Sequence, residues 1–119
     1  MNCPYCEKEA IWVENKEIYG RNYGKSYMCY LCKDCDAYVG CHNNTKTPLG
    51  TLANKELREE RRRTHEVLDP LWMSKRDRRK ARTEVYKKIG SIIGEDVHVG
   101  GSNIERCLEI RNIIINNMV

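Results

Sequence analysis

"CKDCDAYVGCH", residues 32–42, places three cysteines and a histidine within eleven positions, and Cys29 stands three residues upstream. A second pair, "CPYC" at residues 3–6, precedes them. Cys3-x2-Cys6, 25 intervening residues and Cys32-x2-Cys35 make a two-knuckle pattern. In a CxxC turn both thiolates converge on one side. Two such turns, brought together by a hairpin, complete a tetrahedral shell of four sulfurs, which Zn2+ accepts at roughly 2.3 Å per sulfur. The gap exceeds the roughly 15–20 residues of common two-knuckle spacings, and a long-armed hairpin would use it. The spacing therefore predicts a zinc site on Cys3, Cys6, Cys32 and Cys35.

The surplus ligands have competing readings. Cys29 could replace Cys32 as third ligand, although Cys32 and Cys35 form the tighter knuckle. Cys29-x2-Cys32-x2-Cys35 also matches part of an iron–sulfur run, without its fourth spacing. A thioredoxin-like role for CPYC wants a strand-to-helix setting, whereas here a matching pair follows downstream. Cys41 and His42 could enter the shell, or His42 could act beside an open metal position. Four thiolates, however, leave zinc no vacancy for water. Cys41 and His42 are then read as packing and orienting the junction between sheet and helices.

The 119 residues suit one domain or two very small ones. Charged residues make up 32% of the chain, aromatics 8%, and there is no Phe, so a single large apolar core is not expected. Seven Cys is an odd count, set in CxxC pairs rather than in a disulfide framework. There is no signal-peptide pattern and no apolar run near the roughly 20 residues of a membrane span. These features predict a reducing, cytoplasmic setting with no membrane role.

The net charge of +4 is local. Residues 1–50 and 51–74 are each neutral, and residues 89–119 are net acidic. "KRDRRKARTEVYKK", residues 75–88, holds eight basic residues against two acidic. A concentrated patch says more about partners than a total does.

Residues 1–42 show no helical period. "AIWVENKEIYG" and "RNYGKSYMCY" predict two strands, with Gly20 and Gly24 at turns, and "DAYVG" predicts a short third strand. Residues 42–51 are a loop by composition. From Asn54 a helix is predicted to about Leu68, where Asp69-Pro70 stops it. Its stripe runs through Leu57, Arg61, His65, Leu68 and Trp72. Ser74 with Asp77 signals a second helix carrying Ala81, Val85, Ile89 and Ile92, with Gly94 at its C-terminal cap. Ser102 with Glu105 repeats the signal for a last helix carrying Ile104, Cys107, Leu108, Ile114 and Ile115 on its apolar face. The expected fold is α+β: an N-terminal zinc ribbon, a β hairpin plus a short strand, packed on a C-terminal bundle of about three helices. Residues 1–50 form the ribbon-like region and its loop, and residues 51–119 the helical region, expected to make one compact unit.

Arg61, Arg62 and Arg63 close a charged run on the first helix, and Lys75, Arg76, Arg78, Arg79, Lys80 and Arg82 crowd the start of the second. Clustered Lys and Arg release counterions on binding nucleic acid. The plain alternative is a solvated face paired with Glu, which Glu59 and Glu60 offer the first run. The second run has only Asp77 nearby, and its cations oppose the helix dipole. A DNA or RNA partner is therefore expected, although an acidic host protein would satisfy the same charges. Tyr19, Tyr23, Tyr27, Tyr30 and Tyr38 interleave with Arg21 and Lys25; some pack the small core and others could stack bases. His42, His65 and His98 stand in no catalytic motif. A metal-dependent nuclease using His42 or His65 is the weakest reading, because no acid–base pair can be argued.

"CPYC", "CDAYVGCH", "PLGTLANKELREERRRTHEVLDPLW" and "VHVGGSNIERC" together resemble the zinc-finger-containing domain family of bacteriophages and prophages, a family of unassigned function. The resemblance covers most of the chain, and "DAYVGCH…PLGTLAN" is its most specific part. It implies a phage or mobile-element origin, zinc on Cys3, Cys6, Cys32 and Cys35, and no particular activity; Cys29 is an addition to the pattern. The function expected is a zinc-stabilised, non-catalytic nucleic-acid-binding accessory protein in a bacterial host cytoplasm. The alternative is a protein-binding module that modulates a host polymerase, nuclease or defence protein.

Overall fold

A computed structural model describes residues 1–117. They divide into two compact units, Met1–Glu56 and Leu57 onward. The boundary falls inside the first turn of a helix rather than in the loop at residues 42–51.

The first unit is a three-stranded antiparallel sheet, β1 (Ile11–Glu14), β2 (Met28–Cys32) and β3 (Ala37–Gly40), in that spatial order. β-branched and aromatic Ile11, Trp12 and Val13 suit a pleated strand. Register pairs Trp12 with Tyr30 and Tyr30 with Val39, and Cys32 with Ala37. The β1–β2 connection contains one helical turn, α1 (Lys16–Tyr19), where no helical period was legible. Four residues are too few for a period. Gly20 closes the turn at φ 85, where a Cβ would be strained, and Asn15 accepts from the Tyr23 N–H at 3.0 Å while donating to the Tyr23 carbonyl at 2.9 Å. The chain after β3 folds back over the sheet, pairing Cys41 with Pro48 and Tyr38 with Ala53. Leu52 is thereby fully buried with Cys3, Ala10, Cys32 and Ala37, so residues just past the loop complete the ribbon's core.

The second unit holds α2 (Lys55–Leu68, whose first turn straddles the boundary), one-turn α3 (Pro70–Met73), α4 (Arg78–Ile93) and α5 (Ile104–Asn117). Asp69-Pro70 ends α2 and opens α3, because proline fits a first helical position but cannot continue a ladder. The caps of α4 and α5 are not the two serines that open the start signals. Asp77 itself caps α4, its carboxylate accepting from the Lys80 N–H at 3.2 Å. Asn103, not Ser102, caps α5, accepting from the Arg106 N–H at 2.8 Å. The Ser102 hydroxyl donates instead to the His98 carbonyl at 2.7 Å, within the bend around the short 3-10 turn Val99–Gly101.

The core joins Leu68, Ile89, Val99, Ile110 and Ile114, all fully buried. Ile92, Leu108 and Ile115, assigned to apolar faces from spacing, are exposed, whereas Ile110 is buried. At 100° per residue a neighbouring isoleucine can face the other way, and "IRNIII" offers several equal choices. α2 and α5 are also tied by a polar knot. Arg111 donates to the Glu60 carboxylate at 2.6 Å, to the Glu60 carbonyl at 3.1 Å and to the fully buried Thr64 hydroxyl at 3.2 Å. α4 ends where Gly90 meets the returning chain. A Cβ at Gly90 would lie 2.9 Å from the Glu95 carbonyl oxygen, and Gly94 at φ 97 donates its N–H to the Gly90 carbonyl.

Candidate functional site

The first knuckle is built by short-range backbone bonds. The Cys3 N–H donates to the Lys8 carbonyl at 2.8 Å and the Glu7 N–H to the Cys3 carbonyl at 2.9 Å. The second lies between β2 and β3, where the Asp36 N–H donates to the Lys33 carbonyl. The two are alike in backbone: the residue following each pair, Glu7 at φ 64 and Asp36 at φ 51, takes the left-handed conformation. That twist turns the chain away and leaves both thiols of a pair on one side.

The two knuckles meet. The sulfurs of Cys3, Cys6, Cys32 and Cys35 all lie within 4.8 Å of one another, and Cys6 Sγ is 3.6 Å from Cys32 Sγ. Zinc–sulfur bonds of about 2.3 Å imply a tetrahedral edge of about 3.8 Å, so the four thiols fit Zn2+ with little movement. Cys3 and Cys32 are buried, and Cys6 and Cys35 are partly exposed.

Burial and neighbouring groups set the ionisation of Cys3, Cys32 and Cys35. Burial pushes the Cys35 thiol up, with help from Cys6, Cys32 and Cys3, to about 12. At Cys32 a bond from the Cys35 N–H favours the thiolate, but burial and the Cys6 and Cys3 thiols outweigh it and raise the pKa. At Cys3 burial acts upward, yet bonds from the Tyr5 and Cys6 N–H groups and the Cys32 and Cys6 thiols bring it below the usual value. Each knuckle thus aims the N–H of its second cysteine at the sulfur of its first. Lys8 bridges to Asp34 at 3.2 Å, joining the two knuckles. Both side chains are exposed, so the bridge itself adds little stability.

A family model for a zinc-finger-containing domain, DUF3268, matches residues 1–117. The chain belongs to this family. Its cofactor is Zn2+, which Cys3, Cys6, Cys32 and Cys35 would hold. A closed shell of four sulfurs supplies a structural clamp rather than an activated water. No curated protein and no solved structure matches this zinc-finger-containing chain.

Among the described residues no further group of His, Cys, Asp and Glu could hold a metal. Cys29 and Cys41 are buried outside the shell. Burial raises both thiols, and at Cys41 a hydrogen bond with Trp12 opposes the rise. His42 is exposed, its N–H donating to the Thr47 carbonyl at 3.0 Å. His65 Nδ1 lies 3.1 Å from the Asp69 carboxylate at the end of α2.

The basic residues fall into two classes. On α2, Arg61 donates from Nε to the Ser102 carbonyl at 3.0 Å, Arg62 pairs with Glu66, and Arg63 pairs with Glu60 at 3.3 Å. In the turn before α4 and on its first turns, Lys75, Arg76, Arg78, Arg79, Lys80 and Arg82 are exposed, and none forms an ion pair among the described residues. Arg82 is nevertheless held in place, 5.0 Å over the Tyr86 ring and 5.9 Å from the Trp72 ring centre.

The aromatics divide too. Tyr30 and Tyr38 are half-buried, and Tyr19, Tyr23 and Tyr27 are exposed. Arg21 lies 4.7 Å over the Tyr23 ring. Sequence reasoning missed Trp12 and Lys46. The Lys46 ammonium stands 4.6 Å from the centre of the exposed Trp12 ring. A Trp between Ile and Val reads as core, and nothing in the sequence links it to a lysine in a later loop.

Among the described residues no helix is long and apolar enough to cross a membrane.

Proposed function

We propose that this zinc-finger-containing protein is a non-catalytic nucleic-acid-binding accessory protein, with zinc holding the ribbon and a basic surface on the helical unit contacting phosphates. The observation that carries this reading is the uncompensated cluster Lys75, Arg76, Arg78, Arg79, Lys80 and Arg82. Six exposed cations without a carboxylate partner repel one another and oppose the α4 dipole. Such an arrangement gains most when a polyanion displaces the counterions. Arg61, Arg62 and Arg63 are already partnered, so they contribute less. The phage or mobile-element origin and the bacterial cytoplasm belong to this same reading and rest on the motif resemblance.

The test is DNA and RNA binding by the zinc-loaded chain across a salt series. Affinity should fall steeply with salt, and charge reversal at Arg78, Arg79 and Arg82 should lower it for all sequences. Binding that survives the triple reversal unchanged would sink the reading. A module that docks on a host polymerase, nuclease or defence protein is the second reading. It is favoured by the exposed Leu108 and Ile115 on α5. Partners captured from host lysate that persist after nuclease treatment would support it.

A further inference from the structure

The ribbon carries a second surface, on a different unit from the α4 cluster. Trp12 is 39% exposed, although a tryptophan in a three-stranded sheet with so small a core would add most by being buried. Its ring does not lie loose. It sits beside Tyr30 in the β1–β2 register, with Lys46 over it. Lys46 is itself positioned: the Tyr30 hydroxyl donates to its carbonyl at 2.8 Å, and the loop carrying it is braced by the Thr47 N–H on the Thr45 hydroxyl at 3.2 Å.

Two open concavities flank this Trp–Lys pair and share it as a common wall. One, of about 540 Å³, runs past Met1, Ala10 and Tyr30. The other, of about 570 Å³, runs past Lys25, Tyr27 and Met28. Each exceeds the volume of a nucleobase several-fold, and the second presents the exposed Tyr27 ring. The charges on the face suit an anionic strand. Lys25 and Lys46 make no ion pair among the described residues. Two acids line the concavities. Glu9 is exposed in the first, whereas Glu14 in the second is already engaged by the Asn22 amide at 3.0 Å and by Lys16 at 3.3 Å, and those bonds hold its pKa down. The second, with Lys25 and Lys46, is the better suited to phosphate.

We infer that the Trp12–Lys46 trough is a binding site for single-stranded nucleic acid. Unpaired bases stack on Trp12 and Tyr27, and Lys46 and Lys25 meet the adjoining phosphates. Duplex bases are stacked on each other and cannot reach an aromatic face without being flipped out, whereas single strands offer their faces freely. The inference takes the polymer class from the nucleic-acid reading above but does not depend on the α4 cluster.

The experiment uses zinc-loaded full chain carrying Trp72→Phe, so that Trp12 is the only tryptophan. A 12-mer of deoxythymidine, the same length of uridine RNA, and a mixed-sequence duplex are titrated in turn. Single strands should quench Trp12 fluorescence at saturation and the duplex should not. Stacking is worth about 1–3 kcal/mol per base, so Trp12→Ala should weaken single-strand binding about 5- to 150-fold, and Trp12→Phe should retain most of it. The Phe variant and the quenching protect the result against a folding defect in Trp12→Ala. Quenching by single strands in the Arg78, Arg79 and Arg82 reversal would support the trough even if the α4 reading fails. Binding without quenching, or equal affinity in Trp12→Ala, would overturn the trough and leave the α4 reading standing. No binding by any oligonucleotide overturns both.

Discussion

Cys6 and Cys32, 26 positions apart in the chain, hold their sulfurs 3.6 Å from each other. No disulfide joins them, and both belong to a group of four thiols at near-tetrahedral spacing. The contact makes the ribbon's integrity a question of metal. Its core of Cys3, Ala10, Cys32, Ala37 and Leu52 is small and itself includes two of the ligands, so without a staple it buries too little apolar surface to be more than marginal. Zinc should bind at one ion per chain. A strong chelator, or Cys32→Ser, should abolish the ribbon's dispersed amide NMR signals while the helical far-UV signal of α2, α4 and α5 largely persists. Retention of the sheet without metal would refute a clamp role.

Zinc uptake should release protons. Cys32 and Cys35 have pKa values raised above the usual thiol value, Cys35 to about 12. Both are therefore protonated at pH 7 before metal arrives, and thiolates are what zinc binds. Raising the pH favours the deprotonated ligands and tightens binding; lowering it returns protons and expels the ion. Calorimetry in buffers of different ionisation enthalpy should detect at least two protons released per zinc at pH 7. A buffer-independent heat would contradict this.

Gly90→Ala should destabilise the helical unit, against the usual helix-propensity gain of about 1 kcal/mol. The added methyl would lie 2.9 Å from the Glu95 carbonyl oxygen, a backbone atom that cannot swing aside. Overpacking of this kind costs about 1–3 kcal/mol. Urea unfolding of the zinc-loaded chain is the measurement, and a rise in the midpoint would show that the α4 end relaxes freely.

Arg111→Ala should cost more. Its guanidinium serves two Glu60 oxygens and the Thr64 hydroxyl, and the Arg111 and Glu60 side chains are only 16% and 15% exposed. Removing Arg111 leaves the nearly buried Glu60 carboxylate with only the half-exposed Arg63, 3.3 Å from its other oxygen, at the low end of the cost of breaking such a pair, about 3 kcal/mol. For a unit of this length that corresponds to a loss of more than about 10 °C in Tm. Replacing both members by Arg111→Met with Glu60→Leu should recover much of the loss, because the stranded charge is then gone.

Much of this was legible from residue order. The two CxxC pairs name four ligands because a closed tetrahedral shell needs that donor set and little else. Asp69-Pro70 and Gly94 mark helix ends because their backbone limits act locally, whatever the rest of the chain does. Strand β3 was visible in "DAYVG" for the same reason. Local rules failed where two answers were locally equal. Ser102 and Asn103 are both competent caps, and only the backbone path around Val99 hands the Ser102 hydroxyl to the His98 carbonyl. Ile110 and Ile115 are equivalent as side chains, yet one is fully buried and the other 61% exposed.

By itself, then, the sequence determined the zinc chemistry, the order of sheet and helices, and the concentration of charge at residues 75–82, since each depends on residue type and short spacing. The pairs of Arg62 with Glu66 and of Arg63 with Glu60 follow from the same short spacing along α2. Tertiary structure alone decided that Arg61 reaches the Ser102 carbonyl. It also decided that Lys46 meets Trp12 across 34 positions of chain. Partners distant in sequence are set by how the chain returns on itself, and no local preference encodes that path.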